Sequence, residues 1–173
     1  IGANTRHLST SVDTLTALAA TGAVYVTEAD GVTLGDVAVT VRELNANAST
    51  TTVEDAAQSD LTTQANGNIV LVATLGDVVL NVGTATGAGQ AVSALGTGSV
   101  RIEAVAGSVT AGAAADVRSD TGDITVRAGQ NLSLGASADV VTGSTGTVSL
   151  NAVAGTLTMA GTSQVTATGS SAR

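Results

Sequence analysis

The stretch GTVSLNAVAGTLTMAG, residues 146–161, states one pattern twice, nine residues apart: a glycine, then apolar and polar residues in strict alternation. A chain that repeats itself this closely is limited to architectures in which each unit stacks on a copy of itself. Aligned on the leading glycine, the pattern recurs in GNIVLVATLGDVVLNV (67–82), GSVRIEAVAGSVTAGA (98–113) and GDITVRAGQNLSLGA (122–136). A looser copy is GAVYVTEADGVTLGD (22–36). The leading glycines, Gly22, Gly67, Gly98, Gly122 and Gly146, are 45, 31, 24 and 24 residues apart. The basic period is therefore 24, and the two longer spacings contain insertions.

Each copy holds two short alternating segments. In VRIEA, Val100, Ile102 and Ala104 alternate with Arg101 and Glu103; in ITVRA, Ile124, Val126 and Ala128 alternate with Thr125 and Arg127. A period of two over five residues is the signature of a half-buried strand, and Val, Ile and Thr suit a pleated surface. A third segment closes each copy: DLTTQANG (60–67), AVSALGTG (91–98), DVRSDTG (116–122) and DVVTGSTG (139–146). The glycines fall between segments, where a corner needs a positive φ or a missing Cβ.

Three short strands and three corners in each period wind into one coil of a solenoid. The expected fold is all-β: a right-handed parallel β-helix (β-solenoid) with three short strands per coil of about 24 residues, and about six coils. Residues 1–173 form a single domain, with 1–21 as the lead-in or first coil. Stacking predicts inward columns Ile69–Val100–Ile124–Val148, Leu71–Ile102–Val126–Leu150 and Val78–Val109–Leu132–Leu157. A narrow triangular interior fits the absence of Phe and Trp, because large rings would overpack it. Pro is also absent, as expected where nearly every residue sits in a ladder or a tight corner.

Residues 42–59 and 83–90 are read as loop insertions, the first with a short helix in TVEDAAQ or an extra strand in VAVTV (37–41). Insertions into repeats map to loops on one side of a solenoid, often the binding side. Arg42, Glu43, Glu54, Asp55 and Gln90 are therefore the partner-facing candidates. Outward Val70, Val72 and Val79 are expected to lie beneath the first insertion or to form an apolar patch.

The charge pattern narrows the partners. Net charge is −8, with six Arg and no Lys, which disfavours nucleic acid. No run approaches the roughly 18 consecutive apolar residues of a membrane helix, so no membrane insertion is expected. Without Cys there are neither disulfides nor thiolate metal sites. The chain begins at Ile1 with no signal peptide and is read as a processed product or a piece of something longer.

The glycine-led strands, TGAVYVTEADGVTLGD (21–36) and the lead-in RHLSTSVDTLTALAATG (6–22) together resemble the repetitive β-helix regions of large secreted bacterial surface proteins. These are of the filamentous-haemagglutinin-like, giant-adhesin type. The resemblance covers nearly the whole chain except the 42–59 insertion. It implies a right-handed β-helix, an extracellular or cell-surface location and a non-enzymatic role, and it brings no catalytic residues.

The residues themselves offer a few sites to weigh. Asp116 and Asp139 fall at one place in successive copies, as does Asp60 further up, and such a column could hold calcium between coils. The plainer role of Asp at a turn is to bond local backbone. No other cofactor is expected. Glu28, Asp30 and Asp36 sit near one corner, where paired carboxylates could in principle do acid–base work, but with Tyr25 alone available to stack on a sugar the favoured reading is exposed, solvated corner residues. Arg6, His7, Ser9 and Asp13 contain triad residue types without evidence of triad geometry. A water-ordering threonine array is disfavoured by outward Arg101, Glu103 and Arg127. The expected role is a rigid, non-catalytic stalk and display segment of a surface adhesin. Its expected partners are neighbouring coils, copies of itself end to end, and a host or cell-surface glycan or protein. An end-to-end extracellular filament is the alternative, and a polysaccharide-active enzyme the third reading.

Overall fold

The computed structural model describes residues 1–84 and 90–169. The chain winds as six coils of three short strands. Coil 1 holds β1 (Leu8–Thr10), β2 (Thr14–Leu15) and β3 (Ala17–Ala19). Coil 2 holds β4 (Val24–Glu28) and β5 (Val32–Leu34), then an insertion of two strands, β6 (Thr40–Leu44) and β7 (Thr50–Glu54), then β8 (Leu61–Thr63). Coil 3 is β9 (Ile69–Ala73), β10 (Val78–Leu80) and β11 (Gln90–Ala94); coil 4 is β12 (Val100–Ala104), β13 (Val109–Ala111) and β14 (Asp116–Ser119). Coil 5 is β15 (Ile124–Ala128), β16 (Leu132–Leu134) and β17 (Val140–Thr142); coil 6 is β18 (Val148–Ala152), β19 (Leu157–Met159) and β20 (Val165–Ala167).

Equivalent strands form three parallel six-stranded walls. Wall 1 is β1-β4-β9-β12-β15-β18, wall 2 is β2-β5-β10-β13-β16-β19 and wall 3 is β3-β8-β11-β14-β17-β20. The predicted columns are the observed register: Ile69, Val100, Ile124 and Val148 pair in sequence, as do Leu71, Ile102, Val126 and Leu150. Val78, Val109, Leu132 and Leu157 do the same on wall 2. Burial of the same alternating positions in coils 2 to 5 forces this register, since a slip by one residue would turn each apolar column outward. Ile69, Leu71, Ile102, Ile124 and Leu132 have no exposed surface at all.

The leading glycines share a structural cause that is mostly steric. Only Gly22 has a positive φ, at 81°. A Cβ on Gly67, Gly98, Gly122 or Gly146 would collide with the carbonyl oxygen of the leading glycine one coil before. The corner between walls 3 and 1 is thus a stack of backbones in direct contact. Buried hydroxyls brace it: Thr63 donates to the Gly67 carbonyl at 2.7 Å, Ser119 to that of Gly98 at 2.7 Å and Thr142 to that of Gly122 at 2.6 Å.

The first insertion departs from the expected loop and helix. The VAVTV stretch does supply strand residues, but TVEDAAQ is extended, because Thr50–Glu54 pairs antiparallel with Thr40–Leu44. Thr and Val favour strand over helix, and a turn at Asn45–Ser49 brings the two segments together. The resulting arm leaves the corner between walls 2 and 3, closed at its foot by the Val37–Gln58 bridge. The 83–90 insertion leaves the same corner one coil later; its residues 85–89 lie outside those described. Val70 and Val72 do not lie beneath the arm: they are half-buried on wall 1, and Val79 is half-buried on wall 2.

Candidate functional site

The acidic residues are best understood from the corners upward. Side chains at all three corners accept a main-chain N–H from the next coil. Between walls 3 and 1, Asn68 Oδ1 accepts from Ser99 at 2.9 Å and Asp123 Oδ1 from Thr147 at 2.8 Å. Between walls 1 and 2, Asp77 Oδ1 accepts from Ser108 at 2.7 Å and Asn131 Oδ1 from Thr156 at 3.0 Å. Between walls 2 and 3, Asp116 Oδ1 accepts from Asp139 at 2.9 Å and Asp139 Oδ1 from Gln164 at 2.8 Å. Corners interrupt the sheet ladder, so their N–H groups need another acceptor. A short carboxylate or amide side chain supplies it.

This ladder occupies the aspartates considered for calcium. Asp116 and Asp139 are neighbours, but they are joined by a backbone bond. Burial raises the Asp116 pKa, and the Asp139 charge adds to this; the Asp139 N–H and Arg118 oppose it. Asp60 is not adjacent to them. Coil 3 lies between, with Gln90 in register with Asp116 and a bulge at Gln90–Val92. Two coil rises amount to roughly 9.6 Å, beyond the reach of one ion. Asp60, with φ 69° and 2% exposure, accepts from Gly83 N at 3.1 Å and from the Ser59 hydroxyl at 3.1 Å. Among the described residues no group of three His, Asp or Glu side chains could hold a metal ion.

Glu28, Asp30 and Asp36 are separated: Asp30 and Asp36 are exposed as expected, whereas Glu28 is not. Alternation along β4 turns Glu28 inward to zero exposure, where it accepts from Thr10 Oγ1, Val12 N and Ala29 N. Asp30 is exposed beside Ser11, with which it makes a long contact of 3.4 Å. Asp36 lies beyond wall 2, where it accepts from Thr84 N at 2.8 Å and Thr84 Oγ1 at 2.7 Å. Asp36 and Asp60 therefore stand at the two feet of the arm, and both grip the start of the second insertion. The triad types are likewise unassembled. His7 Nδ1 meets Thr27 Oγ1 at 2.9 Å and the imidazole stacks on Tyr25 with centroids 5.6 Å apart. Ser9 lies on β1, Arg6 bridges Ala3 in the lead-in, and Asp13 is exposed at a corner.

Of the partner-facing candidates, Arg42, Glu43 and Glu54 are exposed on the arm and Asp55 is exposed at its base. Gln90 is instead drawn into wall 3 as the first residue of β11 and is half-buried.

Wall 1 carries the most varied chemistry on the surface. Glu103 points outward yet is only 6% exposed, because Arg101 and Arg127 close over it from its own strand and the next. Arg101 bonds it through Nε at 3.1 Å and also through Nη2, and Arg127 Nη1 reaches Oε1 at 2.5 Å. Burial pushes the Glu103 pKa up, but the two guanidiniums outweigh it and hold the carboxyl below its ordinary value. This three-charge cluster is not evident from either strand alone. Its signal was the 24-residue spacing of Glu103 and Arg127, which makes them cross-strand neighbours. The same three charges, which argued against a threonine array, are all confined to wall 1. Wall 2 presents the uncharged outward column Thr14–Thr33–Val79–Thr110–Ser133–Thr158.

Beside the ion cluster lies a shallow groove of about 270 Å³, lined by Tyr25, Asn68, Val70, Arg101, Asp123 and Thr125 among others. It presents a ring, a guanidinium, a carboxylate, and hydroxyl and amide groups. No family model, no curated protein and no solved structure matches this chain.

Proposed function

We propose that the chain is a rigid, non-catalytic structural segment of a secreted bacterial surface adhesin, serving as stalk and display scaffold at the cell surface. One observation supports this above others: the register runs through six coils on all three walls. Such a stack resists bending, because each wall strand of coils 2 to 5 is bonded on both sides and each inward column is continuous. The arm and the second insertion leave one corner of that rod, a suitable position for meeting a host or cell-surface glycan or protein. The resemblance to filamentous-haemagglutinin-like repeats supplies the extracellular setting.

A second reading is end-to-end assembly. On the outer face of coil 6, Leu157, Met159 and Val165 are 46%, 41% and 40% exposed, although their registers are inward. A further coil, or coil 1 of another copy, would cover them and pair the open strand edges.

The test is an antibody against the arm applied to intact source cells. Labelling before permeabilisation supports a surface display segment, whereas labelling only afterwards rejects it. Negative-stain microscopy of the purified chain across a concentration series separates the second reading, since filaments require the coil ends to associate.

A further inference from the structure

Among the described residues, the arm stands apart as a two-stranded antiparallel sheet beside three parallel walls. Both its strands are exposed along their whole length, including Val41 at 52%, Leu44 at 70% and Val53 at 38%. Among the described residues, β6 and β7 pair only with each other. A lone two-stranded ribbon in water is of marginal stability, and its open edges are templates for another strand.

The hydrogen-bond phase shows which residues form those edges. Asp55 N donates to Val39 O at 3.0 Å, and Asn45 N donates to Ser49 O at 2.9 Å. Antiparallel pairs alternate between bonded and non-bonded, so Val41–Val53 and Glu43–Thr51 exchange the inner bonds. The N–H and C=O of Thr40, Arg42 and Leu44 therefore point to the outer edge of β6. Those of Thr50, Thr52 and Glu54 point to the outer edge of β7.

The two edges differ in what protects them. Strand β6 carries Arg42 and Glu43 at its centre, and charge on an edge deters pairing. Strand β7 reads Thr-Thr-Thr-Val before its first charge at Glu54, a run of good strand formers with no Pro or charge. The edges also differ in self-complementarity. A two-fold axis at Arg42 sets Arg42 against Arg42 of the second copy, directly opposing like charges. An axis at Thr52 sets Thr52 against Thr52, Thr50 against Glu54 and Thr51 against Val53, with no like charges opposed.

We infer that the arm is a self-association device: two copies join antiparallel through their β7 edges, with the two-fold axis at Thr52. The product is a four-stranded sheet, β6-β7-β7-β6, that ties two solenoids side by side. Val41 and Val53 of one copy then share a face with Thr51 of the other. This closed two-fold contact is distinct from end-to-end stacking and does not rest on the adhesin reading.

Two measurements test it. The chain has no cysteine among its residues, so single cysteines report contact cleanly. A bonded antiparallel pair places its Cα atoms about 5.5 Å apart, within disulfide range. Thr52→Cys is expected to form a disulfide-linked dimer under mild oxidation at least about tenfold faster than Arg42→Cys, as paired strands raise the local thiol concentration. Sedimentation equilibrium is expected to show a reversible dimer of the unmodified chain. Thr52→Pro removes an outward N–H while sparing the inner arm bonds, and is expected to weaken that dimer about thirtyfold. Equal cross-linking of the two cysteine variants would overturn the inference. So would a chain that stays monomeric at every concentration, or association that Thr52→Pro leaves unchanged, which would place the contact at the coil ends.

Discussion

The carboxylate of Glu28 accepts the hydroxyl proton of Thr10 at 2.6 Å, across the boundary between coils 1 and 2. It also accepts Val12 N at 3.0 Å and Ala29 N at 3.2 Å, so one fully buried side chain stitches together the corners of both coils. Its place in the register is taken by Ala73, Ala104, Ala128 and Ala152 in later coils.

Glu28→Ala therefore fits the column sterically but leaves the part-buried Thr10 hydroxyl and Val12 N–H without this acceptor, while Ala29 N keeps its bond to Thr10 O. An expected loss of about 1–3 kcal/mol follows from leaving such donors unpaired. Urea unfolding of the variant measures it, and an unchanged midpoint would refute the stitching role. Glu28→Gln keeps one acceptor oxygen and is expected to fall between the alanine variant and the unmodified chain.

Two glycine substitutions are expected to behave oppositely. In Gly122→Ala the new methyl meets the Gly98 carbonyl and the Ser99 amide, which belong to backbone that cannot yield cheaply. A loss of about 2–3 kcal/mol is expected, as for other overpacked sites. Gly161 has nothing within 4 Å of such a methyl, and its φ is not in the left-handed region. Gly161→Ala is expected to stabilise by about 0.4–1 kcal/mol through the unfolded chain. Thermal melts of the two variants give the comparison directly.

Stability should fall at acidic pH partly through Glu103. Its folded-state pKa is lowered, so its contribution is present above the unfolded value near 4.5 and is lost as pH falls through the lower folded value. Arg101 and Arg127 are 53% and 36% exposed, so solvent screening limits the effect to at most about 1 kcal/mol. In Glu103→Gln, that part of the pH dependence below 4.5 should be absent. An identical acid limb in both proteins would show that the cluster contributes nothing.

Asp116 has the opposite sign. Its raised folded-state pKa means that its ionised form costs stability at neutral pH, and the cost is relieved as pH falls through that raised value. Asp116→Asn retains an oxygen for the Asp139 N–H and removes the charge facing Asp139. It is expected to stabilise by about 0.5 kcal/mol at pH 7, and the gain is expected to vanish as pH falls through the raised Asp116 value. Calcium added to the unmodified chain is expected to leave its melting temperature unchanged, because Asp116 and Asp139 already serve the corner backbone.

The sequence by itself determined the walls and the core. Its period and its alternation are local properties. Once Ile69, Val100, Ile124 and Val148 recur at matching places, only a parallel stack buries them all. The leading glycines were legible as corners, although the reason for most of them, backbone resting on backbone, required the coils to be assembled. Tertiary structure alone decided the chemistry of the surface. Glu28 reads as a corner acid yet is sealed in the core, because strand alternation carries it inward at the end of β4. Asp60 shares a position with Asp116 and Asp139, but the intervening coil separates it from them. Glu103 and Arg127 are distant in sequence and meet only because one coil lies on the next. The 37–59 segment read as loop, helix or strand, since its Thr, Val and Glu do not settle the choice locally. Cross-strand pairing of Val41 with Val53 settled it. Periodicity fixes which residues stack, whereas corners and insertions depend on contacts between residues that the period does not relate.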